Sequence, residues 1–110
     1  MVTRKKINIP IFDYGLTIYI YDTWDEVKHM FDLVSEPRGV TAIYPAGYSV
    51  TAVNSKYLNT LAHEAEHIKN ALWEHIGYKP HANNDEVDAY LLTYIFSKMI
   101  EVYNKHKESN

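Results

Sequence analysis

The chain of 110 residues contains no cysteine. Disulfides and thiolate metal centres are therefore excluded, and any metal must be held by His, Asp or Glu. No apolar run approaches the roughly 20 residues that a bilayer-spanning helix needs. The first residues also lack the apolar core of a secretory signal. Positive charge is in short supply: eleven Lys and Arg stand against fourteen Asp and Glu, a formal net charge of −3. Phosphate contacts need a basic surface, so this balance argues against general nucleic-acid binding. The one basic cluster, Arg4-Lys5-Lys6, reads as a solubilising tail. There is no internal repeat, linker or low-complexity segment. What remains is one domain spanning 1–110, with 46% apolar and 23% charged residues, and an expected place in the reducing cytoplasm. Its ends, residues 1–6 and 105–110, are expected to fray. Tyrosine is the abundant aromatic, ten against three Phe and two Trp, and each buried hydroxyl will need a partner.

Residues 7–12 alternate apolar and polar side chains, Asp13-Tyr14-Gly15 signals a turn, and 16–21 resume with β-branched and aromatic residues. This pattern predicts a β-hairpin whose first strand, carrying Pro10, lies at an edge or is bulged. Asp22 or Thr23 is placed to cap a short helix with Trp24, Val27, Met30, Phe31 and Val34 as its apolar face, ended by Pro37-Arg38-Gly39. Residues 40–44 and 48–53 flank Pro45-Ala46-Gly47, a second hairpin with glycine where positive φ is required. A long helix over 56–76, capped by Asn54 or Ser55, has the core stripe Leu58, Leu61, Ala62, Ala65, Ile68 and Leu72. Gly77 ends it and a loop over 78–84 follows. Residues 85–105 then carry Val87, Tyr90, Leu91, Tyr94, Ile95, Met99 and Val102 at helical spacing. The expected architecture is α+β, in the order β-β-α-β-β-α-α, with the long helix on a small antiparallel sheet.

The long helix carries His63-Glu64-Ala65-Glu66-His67. Residues i and i+4 lie one turn apart on one face, so both imidazoles can reach one ion, and Glu64 turns its carboxylate to the same side. Two nitrogens with a neighbouring carboxylate suit Zn²⁺ and the deprotonation of a water it binds. His63, His67, Asn70 and Glu74 fall opposite the core stripe, which a solvated face and a cleft wall would share. The outcome turns on whether another element covers that side. A catalytic zinc needs a third protein ligand. Glu86, at the start of the last helix and 19 residues beyond His67, is the first candidate, with Asp85, Asp88 and His81 as alternatives. Asn83-x-x-Glu86 is equally a capping box, which would give Glu86 a purely local role.

The His-Glu-x-x-His motif, a short loop and Glu86 on a second helix together resemble the glutamate-type zincin metallopeptidases, whose ligands are His, His and Glu. Glu86-Val87-Asp88-Ala89 ahead of Leu91-Leu92 is similar to the acidic helix of compact ImmA/IrrE peptidases, which are common in phages and mobile elements. The resemblance spans about residues 40–100. It implies Zn²⁺ on His63, His67 and Glu86, with Glu64 as the general base of peptide-bond hydrolysis. It also implies an edge strand, residues 48–53, that pairs with a peptide or protein substrate. Tyr78, His81 and Tyr90 are candidate oxyanion donors. The motif has Glu66 where relatives often carry an apolar residue or Gly. A His-x-x-Gly-x-x-His extension is absent, as is the Asn-Glu-x-x-Ser-Asp pattern of thermolysin relatives, and no second domain walls a cleft. An alternative reading of the same scaffold is a non-catalytic binding protein acting on a host partner.

Overall fold

The computed structural model describes residues 1–83 and 85–109. Asn84 of the expected loop and Asn110 of the expected tail lie outside the described residues. The elements are β1 (Val2–Ile9), β2 (Tyr14–Tyr21), β3 (Gly39–Tyr44), β4 (Tyr48–Asn54), α1 (Thr60–Ile76) and α2 (Glu86–Glu108). They form an α+β domain in which two helices cover one face of a four-stranded sheet of order β1-β2-β4-β3.

The sheet is mixed, which corrects the antiparallel expectation. Each hairpin is antiparallel, but the hairpins join through parallel β2 and β4, with Leu16 opposite Ser49 and Ile20 opposite Val53. Burial explains why β4 lies inside: Ser49, Thr51, Ala52, Val53 and Asn54 are all buried. β4 is therefore not the edge strand that the resemblance implied; β3 is. At the other edge β1 starts at Val2, so Arg4-Lys5-Lys6 belongs to a strand and not to a frayed tail. Charged side chains on an edge strand hinder pairing with other chains. Pro10 follows β1, and the turn to β2 holds Ile11 and Asp13 at φ 74° and 49°. Gly47 (φ 104°) closes the second hairpin as expected, its N–H donating to the Tyr44 carbonyl at 3.1 Å.

The expected helix over Trp24–Val34 is two 3₁₀ turns, Trp24–Glu26 and Lys28–Met30. Trp24, Val27, Met30 and Phe31 pack with Tyr21 and Ala52 on the sheet face away from the helices, while Val34 is fully exposed. Apolar residues three apart serve two short 3₁₀ turns as well as one helix. The expected order thus loses its first helix and becomes β-β-β-β-α-α.

α1 begins at Thr60, later than expected. The Asn54 side chain accepts the Lys56 N–H (2.9 Å), and three-residue turns carry the chain to Leu61 before α-helical bonding takes over. Leu61, Ala65, Ile68 and Leu72 are buried in the main core, whereas Leu58 and Ala62 are exposed. α1 lies over β3 and β4, and α2 lies beside it over β1 and β2. α2 continues to Glu108 because Val102 and His106 are buried, so residues 105–108 do not fray. Among the described residues, no helix is long and apolar enough to cross a membrane.

Candidate metal and catalytic site

α1 presents His63 and His67 one turn apart on its outer side. Their Nε2 atoms are 3.1 Å apart, with the rings edge to face at a centroid distance of 4.7 Å. Two imidazole nitrogens bound tetrahedrally to one zinc, each at about 2.1 Å, lie roughly 3.4 Å from one another. The two nitrogens are hydrogen-bonded to each other, at a separation close to that spacing. The His63 side chain is 70% exposed, and His67 is exposed too.

Glu64 differs sharply from its neighbours, for it is only 3% exposed. Its position on α1 turns it toward β3, where the Thr41 hydroxyl donates to Oε1 at 2.7 Å. Thr51 on β4 lies 3.1 Å behind Thr41 and donates to the Val40 carbonyl. The second carboxylate oxygen, Oε2, faces His63 Nε2 at 4.0 Å. Gly39 makes room for this arrangement: a Cβ there would lie 2.6 Å from Thr60 Cγ2 and 3.1 Å from Glu64 Cγ. Thr41 and Gly39 were not singled out from sequence. Both act through a contact with a helix about twenty residues away, which no local pattern announces.

Two clefts meet at the histidines. One, about 360 Å³, is lined by Arg38, Gly39, Asn59, Thr60, His63 and Glu64. The other, about 370 Å³, has His67, Asn70 and Glu74 on one wall and Ile43, Tyr44 and Pro45 on the opposite one. The polar side of α1 is thus flanked by the β3–β4 hairpin and not covered by α2.

The expected third ligand does not join the pair. Among the described residues no three His, Asp or Glu side chains gather where they could hold one metal ion. Glu86 opens α2 and is exposed, and α2 lies on the other flank of α1. Asp88 fixes that placement by accepting from Lys69 Nζ (2.9 Å) and Trp73 Nε1 (2.7 Å). At 100° per residue, Lys69 and Trp73 sit about 140° and 100° around α1 from the middle of the histidine pair. Burial lowers the Lys69 pKa, but bonds to Glu66 and Asp88 more than offset this and leave it above its usual value. Asp85 caps α2, its side chain accepting the Asp88 N–H at 3.2 Å, a role expected of Asn83. The oxyanion candidates are elsewhere: Tyr78 packs on Trp73, Tyr90 lines an apolar groove with Ile11 and Phe12, and His81 is exposed.

Set against family models, curated proteins and solved structures, the chain matches none of them.

Proposed function

We propose that this chain is a zincin-like, zinc-dependent peptidase acting in the cytoplasm on an extended peptide or protein segment. Glu64 carries the proposal. It is a buried carboxylate with one oxygen tied to Thr41 and the other turned toward His63. His63 and His67 are the residues that would hold the ion through Nε2. When bound, zinc supplies a Lewis acid that polarises a carbonyl and makes a nearby water more acidic. Glu64 Oε2 accepts the proton of the attacking water and passes it to the leaving amine. Thr41 fixes the carboxylate while leaving Oε2 free. β3 is an edge strand, and an extended segment pairing with its open side would pass close to Glu64.

The test is cleavage of a proteome-derived peptide mixture by wild type, by Glu64→Gln and by wild type with a chelator. Glu64→Gln keeps the shape and removes the base, so it should take up zinc normally and lose turnover on the order of 10²-fold or more. Identical peptide profiles from wild type and Glu64→Gln would end the enzyme reading. A non-catalytic binding protein is the second reading, favoured by the lack of a third protein ligand among the described residues. It expects no cleavage by either form.

A further inference from the structure

We infer that two copies of this chain share one Zn²⁺, each contributing His63 and His67. The inference rests on the metal-binding half of the proposed function and is independent of the peptidase half. Zinc takes four ligands, and this chain brings two ring nitrogens to 3.1 Å of each other on an exposed helix face, where an ion would take the place of the hydrogen between them. No third protein donor reaches that point among the described residues, because α2 is pinned on the other flank of α1 by Asp88. The same pair on a second copy supplies the two missing nitrogens. An interface about a two-fold axis brings identical patches together, so both pairs meet at the axis without further requirements on sequence.

The surroundings suit a second copy. Beside His67, Ile43 is 56% exposed, and the rings of Tyr44 and Tyr48 stack at 4.5 Å with much of their surface in solvent. These give an apolar contact continuous with the metal. Asn70 and Glu74 continue the same helix face, and each copy carries a net charge of −3. Like charge holds the copies apart, and a dication at the shared site lowers that repulsion. The shared ion has four nitrogen ligands and no open position, so the dimer is a closed form. A single chain with its own ion keeps positions open.

The measurement is the mass of the full chain by sedimentation equilibrium during titration with ZnCl₂ alone, with metal content measured in parallel. Wild type should be monomeric with chelator and double its mass near half an equivalent of zinc per chain. X-ray absorption of that species should show four nitrogen neighbours. His67→Ala lies on an exposed site and should stay folded by circular dichroism and monomeric at every zinc level. Tyr44→Asp should retain zinc and shift dimerisation to at least tenfold higher protein concentration. A wild-type monomer that binds one zinc per chain throughout would overturn the shared site while leaving the peptidase reading intact. Failure of wild type to take up zinc would overturn both.

Discussion

Histidines are used in two opposite ways on the two helices of this molecule. His106, near the end of α2, is completely buried with both ring nitrogens engaged: Nδ1 with Thr3 Oγ1 and Nε2 with Asp22 Oδ1, each at 2.8 Å. An ionised Asp22 can only accept, so Nε2 carries the hydrogen of that bond, and Nδ1 pairs with the Thr3 hydroxyl. Ser55 adds a donor to the same Asp22 oxygen at 2.7 Å. Three segments distant in sequence are tied at one ring, and a fourth joins through Asp22. His63 and His67, by contrast, are exposed and bond to each other, and among the described residues neither bonds to another element. A buried, doubly bonded imidazole is committed to the fold, while an exposed convergent pair is available to an ion.

Substitution of one histidine from each site gives the largest expected difference. His106→Ala leaves a cavity and removes one donor from the Asp22 carboxylate, which keeps Ser55, and should cost about 2–4 kcal/mol of stability in urea unfolding. His67→Ala removes an exposed ring and should stay within about 0.5 kcal/mol of wild type while losing zinc. Equal losses at the two positions would erase the distinction.

Acid should act on the buried site in a defined direction. The hydrogen bond from His106, joined by that from Ser55, holds the Asp22 carboxyl down at about 2, against an ordinary value of 3.8. A pKa depressed in the folded state contributes stability above the unfolded value, and that contribution is lost as pH falls through the folded value. Wild type should therefore lose stability from about pH 5 down toward pH 2, with a shallower slope in Asp22→Asn. Matching acid slopes in the two proteins would assign the loss to other carboxylates.

The same contrast explains which parts of the structure could be read from sequence. Leu61, Ala65, Ile68 and Leu72 announce α1 by spacing alone, and Gly47 announces the second hairpin, since each signal is local to its element. The pairing of Ile20 with Val53 is not local, and alternation of apolar residues gives no choice between β3 and β4 as the inner strand. β1 was legible only from residue 7, because Arg4, Lys5 and Lys6 point to solvent from an edge and look like tail. His63, Glu64 and His67 form a legible motif. Thr41 and Gly39, which position Glu64, depend on the strand order.

The smallest expected effect concerns Glu86, the third ligand implied by the resemblance to zincins. For its carboxylate to reach His63 and His67, the start of α2 would have to cross to the other side of α1. That movement breaks both bonds to Asp88 and leaves Lys69, only 6% exposed, with Glu66 as its sole partner. It also uncovers Trp73, whose ring meets Phe12 at 5.5 Å and Tyr78 at 4.5 Å. Stripping a partner from a buried charge costs several kcal/mol, which opposes the movement. Glu86→Ala should accordingly change zinc affinity by less than about twofold, or roughly 0.4 kcal/mol, measured by competition with a chelating dye. A tenfold loss would instead mean that zinc draws α2 across α1. In that event Asp88→Asn, which loosens the Lys69 and Trp73 contacts, should bind zinc more tightly than wild type.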